Sequence, residues 1–330
     1  MARALVTGGA GFIGSHLVGG LLEAGHQVRV LDDFSSGSRD NLAGLDVDLL
    51  EADVRQAAAV EEAVADCNWV FHLAAMISLS ESLEDPVGCY ATNLTASVQL
   101  LEAARRAGVR RVILSSSCAV YGQAEGPVTE GHRPSPLSPY AASKLAMEQA
   151  GEVYAQTLGL PVFSLRYFNV YGPRQRAESD YAAVIPQFIQ KLTAGHPLEI
   201  HGDGRQTRDF VFVGDVVRAN LLPMAAGLSG GTFNIGSGRS TSVLELASAL
   251  QELLPAPGEP SFGPARAGDI RHSQANLERA RHDLGYQPQT DLERGLEATV
   301  EWFVANHEVA KGTKGGNGGT KGGGQVPTDR

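Results

Sequence analysis

Residues 6–17, VTGGAGFIGSHL, restrict the fold more than any other stretch. A short aliphatic run, RALVTG (3–8), enters a turn carrying Gly9-x-Gly11-x-x-Gly14, overlaid by Gly8-x-x-Gly11-x-x-Gly14. Ile13, Leu17, Leu21 and Ala24 then recur at helical spacing. Glycines between a strand and a helix allow a tight turn and let backbone amides approach a pyrophosphate at the helix N-terminus. The glycine pattern alone is weak; the strand before it and the helix after it make it a dinucleotide site. Asp32 closes the next apolar run (27–32), 18 residues past Gly14. A carboxylate there accepts the ribose hydroxyls and repels a 2′-phosphate, which favours NAD over NADP. Asp53 closes the run 47–53 and has two readings, an adenine contact or an N-cap for a helix beginning near Arg55.

Further short apolar runs lie at 69–74, 110–117 and 161–169, with helical patterns at about 55–65, 84–107 and 139–158. Strands alternating with helices predict βαβ units, hence an α/β fold with a doubly wound parallel sheet. The strands are apolar almost throughout, as expected for a sheet covered on both faces. After about residue 170 Gly and Pro become frequent, in YGPRQ (171–175), HGDGRQ (201–206) and PAPGEP (255–260). The expected division is a dinucleotide-binding domain over 1–170, to which later segments return, and a smaller α+β substrate lobe over 171–308. A Gly- and Lys-rich tail over 309–330 has too few apolar residues to order itself.

The formal net charge of −10 argues against a nucleic-acid partner, which would call for a basic face. Cys67, Cys89 and Cys118 show no C-x-x-C spacing, and the nine histidines show no metal-ligand pattern, so neither a disulfide framework nor a metal is expected. The N-terminal residues lack the apolar run of a leader, and no apolar stretch is long enough to span a bilayer. A soluble cytoplasmic protein without membrane partners is expected.

SPYAASKLAMEQ (138–149) places Tyr140 four residues before Lys144, on one face of a helix. An ammonium near a phenol stabilises the phenolate, which can then take a proton from a substrate hydroxyl. Spacing alone would leave this an ordinary helix face. SSSCAVYG (115–122), at the carboxyl end of a predicted strand where ligands of open α/β sheets bind, adds Ser117 as a hydrogen-bonding partner for the same hydroxyl.

These stretches, with HLAA (72–75), LRYFNVYGPRQ (165–175) and RDFVFVGDVVRA (208–219), resemble the extended short-chain dehydrogenases/reductases. Within that group the chain looks most like the UDP-glucose (UDP-galactose, UDP-N-acetylglucosamine) 4-epimerases, and the resemblance covers about residues 2–306. It implies reversible NAD-dependent oxidation at C4 of a UDP-hexose, with Tyr140 as base, Lys144 holding the cofactor ribose and tuning Tyr140, and Ser117 bonding the reacting hydroxyl. The cofactor contacts it implies are Gly8, Gly11, Phe12, Ile13, Gly14, Asp32, Asp33, Asp53, Val54, Leu73, Ala74, Ala75, Asn93, Ser115, Tyr140, Lys144, Tyr167 and Phe168. For the UDP-sugar it implies Ser117, Asn169, Ala183, Val184, Ile200, His201, Arg208, Arg266, Asp269 and Ser273.

Dehydratases related to this family carry an Asp-Glu pair just after the Ser/Thr and decarboxylases a Glu near there; here Cys118 and Ala119 follow Ser117. Ser273 stands where a bulky Tyr restricts relatives to unacetylated hexoses, and YAAVIP (181–186) resembles epimerases of N-acetylated sugars, so acetylated substrates are expected as well. Ile77 replaces a Lys that some relatives place near the phosphates. The alternatives are a UDP-glucuronate or UDP-arabinose 4-epimerase, a net dehydrogenase, or a non-catalytic NAD-binding regulator. The resemblance further implies a homodimer through helices near 84–107 and 139–158, whose apolar residues packing on the sheet also explains.

Overall fold

The computed structural model describes residues 2–124, 126–176, 183–255, 258–265 and 270–314, with side chains described as far as 306. Its strands are β1 (Arg3–Thr7), β2 (Gln27–Asp32), β3 (Asp48–Glu51), β4 (Trp69–His72), β5 (Arg111–Ser117), β6 (Val162–Tyr167) and β7 (Asn169–Tyr171), then β8 (Glu199–His201), β9 (Thr207–Arg208), β10 (Phe210–Phe212), β11 (Gly230–Ile235), β12 (Thr241–Ser242) and β13 (Ser261–Gly263). The helices are α1 (Phe12–Glu23), α2 (Ala57–Val64), α3 (Leu79–Glu84), α4 (Pro86–Tyr90), α5 (Ala96–Arg106) and α6 (Pro139–Thr157), then α7 (Val184–Thr193), α8 (Val213–Leu221), α9 (Val243–Leu253), α10 (Glu278–Leu284) and α11 (Leu292–Lys314).

Seven strands form one parallel sheet in the order β11-β6-β5-β4-β1-β2-β3. The chain winds outward from β1 in both directions, so the order reverses between β1 and β4. The loops after those two strands flank the crevice where ligands of such sheets bind. Alternation along each strand feeds two cores. Ala4, Val6, Val30 and Phe71 point to the side of α1 and α8, whereas Leu5, Leu31, Val70 and Leu114 point to that of α2, α5 and α6. A third cluster gathers Ile185, Phe188 and Ile189 of α7, Ile200, Phe210, and Leu246 and Leu250 of α9. β11 and α8 return to the first part of the chain, β11 beside β6 and α8 against α1.

The pattern over 84–107 is not one helix. Asp85 precedes Pro86, a position that disfavours α backbone. Its carboxylate accepts the Gly88 N–H at 2.8 Å and starts α4 instead. A π-helical turn at Ala91–Thr95 then joins α4 to α5 and directs Asn93 inward. The backbone of α11 runs to Lys314, into the stretch expected to be unstructured, because Glu308, Ala310 and Lys311 are good helix formers and the glycine pair comes only at 315–316. No helix among the described residues is long and apolar enough to cross a membrane.

Candidate active site

The glycine turn lies at the mouth of β1 and is held by contacts that only glycine permits. Gly8 has φ +69°, and a Cβ there would lie 2.7 Å from Ala74 N. A Cβ on Gly14 would penetrate the Gly8 carbonyl oxygen and lie 2.9 Å from Gly9 Cα. α1 therefore packs directly on the turn. Its N-cap is Gly11, with no side chain bonded to its first amides and no acidic residue in its first turn. Those amides and the positive end of the helix dipole are left for an anion, which is what a dinucleotide pyrophosphate requires. Phe12 and Ile13, half-buried, open the helix.

Asp32 ends β2 with 7 % of its surface exposed. Its Oδ2 accepts Ala10 N–H at 2.8 Å and its Oδ1 accepts Phe34 N–H at 2.8 Å, so it braces the turn. Burial raises its pKa, against the pull of those two amides. Asp33 is exposed and accepts Ser35 N–H at 2.9 Å. Asp53 forms an Asx turn to Arg55 N–H at 2.8 Å and a forked ion pair with the Arg55 guanidinium. The N-cap of α2 is Gln56, so Asp53 is not the helix cap that one reading expected.

The loop after β4 forms the opposite wall. Ala74 N–H donates to Thr7 Oγ1 at 3.2 Å, and Thr7 Oγ1 lies 2.8 Å from His72 Nδ1. His72 Nε2 lies 2.8 Å from Ser97 Oγ, which donates to the Asn93 carbonyl at 2.7 Å. Burial lowers His72 to about 3, so it is a neutral, fully bonded core residue. Asn93 is tied to the same loop. Its amide donates to Met76 O at 2.9 Å and Ser143 Oγ at 3.0 Å, accepts Met76 N–H at 2.8 Å, and is 1 % exposed. It holds the loop in place through Met76 and ties it to α6 through Ser143. Leu73 and Ala75 are half-buried along that loop, and Val54 is buried across from it.

Ser117, Tyr140 and Lys144 meet at the tip of β5. Ser138 caps α6 by accepting Ala141 N–H at 3.1 Å, and Pro139 opens the helix, which sets Tyr140 in its first turn. The Tyr140 phenol is hydrogen-bonded to Ser117. Lys144, 3 % exposed, donates from Nζ to the Ser115 carbonyl at 2.8 Å. Lys144 lies one turn beyond Tyr140 on the same face of α6. Burial pushes the phenol up to about 12, opposed by the Ser117 hydrogen bond, while the Lys144 ammonium is engaged with Ser115. Tyr140 stands in the first turn of α6, where the positive end of the helix dipole favours a phenolate.

Burial also draws Lys144 down to about 8, opposed by Cys89 and Glu148. Below that pH the folded chain carries a costly buried ammonium. As pH climbs from about 8 toward 10.5 the folded chain sheds the proton that the unfolded chain keeps, and the penalty is released. Lys144→Met is therefore expected to be more stable than the wild type by ~2 kcal/mol at neutral pH, with the gap closing across that window. Denaturant unfolding of both chains at the two ends of the window measures this, and a destabilised variant would contradict it.

Two aromatics expected at the cofactor have buried side chains. The Tyr167 hydroxyl donates to Asn220 Oδ1 at 2.8 Å, and Phe168 packs beside Tyr121, so both side chains are core residues at the end of β6. Ile200 is fully buried, because alternation along β8 turns it into the third cluster and leaves His201 half-buried on the other face. Asn169 N–H donates to Asp209 O at 2.9 Å, and Arg208 Nη1 donates to the Thr207 carbonyl at 2.8 Å. Ala183 is the exposed N-cap of α7, which Val184 opens. Ser273 reaches the site, hydrogen-bonded to Cys118 next to Ser117. That thiol is pushed up to about 11 by burial and is no nucleophile. Arg266 and Asp269 lie outside the described residues.

Asp209 went unnoticed in the sequence. Fully buried, it accepts N–H donors from Ser237, Gly238 and Ala275, tying the segment that bears Arg208 to the one that bears Ser273. Nothing in its local pattern signals this, since its donors are distant in sequence.

A doubly wound sheet, a glycine cradle at its switch point, and a Ser, a Tyr and a Lys at the tip of the next strand but one define the extended short-chain dehydrogenase/reductase class. A model of the NAD-dependent epimerase/dehydratase family matches residues 4–236, and the chain belongs to that family. It is 43% identical over 312 residues to a UDP-glucose 4-epimerase of Mycolicibacterium smegmatis, covering 91% of this chain and 98% of that protein. A UDP-glucose 4-epimerase of Thermotoga maritima, solved with UDP-glucose, superposes with a TM-score of 0.88 at 40% identity, over 92% of this chain and 99% of that one. A UDP-N-acetylglucosamine 4-epimerase of Methanobrevibacter ruminantium, solved with UDP-N-acetylmuramic acid, gives 0.89 at 36% identity over 92% and 99%. A nucleotide-sugar decarboxylase and a dehydratase are also related, at 33% and 36% identity. The chain is thus an enzyme of the UDP-sugar 4-epimerase type that uses NAD.

Proposed function

We propose that this chain interconverts UDP-hexoses at C4, taking UDP-glucose and UDP-galactose and also their N-acetylated counterparts. The observation that carries this reading is the Tyr140 phenol meeting Ser117 beside the glycine cradle, with no further acid or base following Ser117. Bound NAD supplies the acceptor and donor of the C4 hydride. Tyr140, as phenolate, takes the 4-hydroxyl proton while Ser117 holds that oxygen, and returns the proton once the 4-keto sugar has presented its other face. Gly8, Gly11 and Gly14 cradle the pyrophosphate, Asp32 takes the adenosine ribose, and Lys144 takes the nicotinamide ribose. Arg208 and Asn169 hold the UDP diphosphate and the sugar, with Arg266 and Asp269 as proposed partners.

Dehydration or decarboxylation would need an acid or base at Cys118 or Ala119. Alanine cannot supply one, and the Cys118 thiol stays protonated well above neutral pH. Incubating the purified chain with each UDP-sugar, without added NAD, tests the reading. C4 epimers without net NADH are expected; stoichiometric NADH or a dehydrated product would overturn it.

The acetylated substrates rest on Ser273, a small side chain hydrogen-bonded to Cys118 beside Ser117. Ser273→Tyr is expected to cut turnover of UDP-N-acetylglucosamine by ~100-fold and that of UDP-glucose by less than about threefold, since filling a pocket discriminates by steric overlap. Equal losses on both sugars would count against this. A homodimer is supported by the exposed apolar side chains Leu83, Val87 and Val153 on α3, α4 and α6.

A further inference from the structure

Three consecutive serines end β5, and each is tied to a different residue of α6. The Ser115 carbonyl accepts Lys144 Nζ at 2.8 Å, Ser116 Oγ donates to Glu148, and Ser117 is bonded to Tyr140. Tyr140, Lys144 and Glu148 are spaced by four, so they form one stripe along the helix. The far end of the stripe is the most tightly held. Glu148 accepts Arg166 Nε at 2.9 Å and Nη2 at 2.6 Å, and Ser116 and Arg166 are register partners across β5 and β6. The Arg166 guanidinium lies 4.8 Å over the Tyr121 ring, and the Tyr121 hydroxyl donates to Asn234 at 2.6 Å. Ser116, Glu148 and Arg166 are each 5 % exposed or less. A pair buried this deeply adds little net stability, because desolvation offsets the attraction between its charges. Its place one turn beyond Lys144 suggests another use.

We propose that Glu148 is a positioning residue of the reaction. Braced by Arg166 and Ser116, it fixes α6 against the tip of β5 so that Tyr140 meets Ser117, and it sets a carboxylate one turn from Lys144 on the same face of the helix. This rests on the reading of Tyr140 and Lys144 given above. The groups facing Lys144 are few. Cys89 comes from α4, neutral His72 from β4, Tyr140 and Glu148 from α6, and the Ser115 carbonyl from β5; Arg166 of β6 is spent on Glu148. Among the described residues, Glu148 is the carboxylate that acts on Lys144.

The double variant Glu148→Met/Arg166→Met removes both charges and fills the space with apolar side chains, a replacement that buried pairs often tolerate. With five lysines in the chain, NMR of isotope-labelled lysine, assigned with Lys144→Met, follows the Lys144 titration without substrate. In the double variant it is expected to lie further below the free-lysine range than in the wild type. Ser116→Ala keeps the ion pair and loosens only the brace. It is expected to lose about tenfold in kcat with KM changed less than about twofold, the mark of reacting groups held slightly out of place. An unshifted Lys144 titration in the folded double variant overturns the proposal; should that variant not fold, a wild-type kcat in Ser116→Ala does. Failure of the functional reading would look different, as a wild-type chain that makes no epimer while its Lys144 titration still answers to Glu148.

Discussion

Tyr140→Phe is expected to lower C4 epimerisation about a thousandfold, with the fold and the bound NAD retained. The substitution removes one oxygen. That oxygen is the group able to accept a substrate proton beside Ser117, and general base catalysis by a placed side chain contributes ~10²–10⁴-fold. Little else changes: the ring stays, α6 keeps its Ser138 cap, and Lys144 keeps Ser115. The upward shift of the phenol concerns only the phenolate, which neither the folded nor the unfolded chain carries at neutral pH, so the stability change expected is the ~1 kcal/mol of one lost hydrogen bond to Ser117. The assay is epimer formation from UDP-glucose with NAD content measured in the same sample. Wild-type turnover in a folded, NAD-loaded variant would remove Tyr140 from the chemistry. Loss of activity together with loss of NAD would give it a binding role instead.

What the sequence disclosed follows the range of the interactions involved. The cradle at Gly8, Gly11 and Gly14 and the pair Tyr140 and Lys144 are legible because their spacing within one turn or one helix is itself the constraint. The sheet was legible because its strands are apolar on both faces. The interruption at Asp85 and Pro86 was equally local and was nevertheless overrun by the apolar periodicity around it. Asn93, Tyr167 and Ile200 sit in or beside motifs that read as contacts, yet their side chains turn inward, because facing is set by packing against Met76, Asn220 and the third core. Glu148 lies midway. Its spacing from Lys144 is visible in the sequence, but its partners Ser116 and Arg166 come from two other strands. The electrostatics were the least legible part, since the burial that raises Tyr140 and lowers Lys144 is set by the packing of α6 against β5 and not by their spacing.

Gly14→Ala is expected to abolish NAD retention and to destabilise the fold by ~3 kcal/mol, the upper part of the usual range for overpacking. The added methyl would enter the Gly8 carbonyl oxygen and lie 2.9 Å from both Gly8 C and Gly9 Cα. All three are backbone atoms, so no side chain can swing aside. Gly8 cannot retreat either, because its own Cα faces the Ala74 amide closely enough that a Cβ there would lie 2.7 Å from Ala74 N. Relief requires α1 to lift off the turn. Leu17, Val18 and Leu21 are fully buried beneath that helix, so lifting it exposes apolar surface. It also draws the first amides of α1 away from the place where the pyrophosphate charge must sit, and the contribution of a helix N-terminus falls off within one turn. Gly19, on the same helix, has open space where a Cβ would go, so Gly19→Ala is the control for the change of residue alone. It should leave NAD content unchanged and stabilise the helix by up to ~1 kcal/mol. Thermal unfolding and cofactor absorbance of the two variants separate the effects; a Gly14→Ala chain that keeps its NAD would mean that the cradle can be rebuilt without close contact between α1 and the turn.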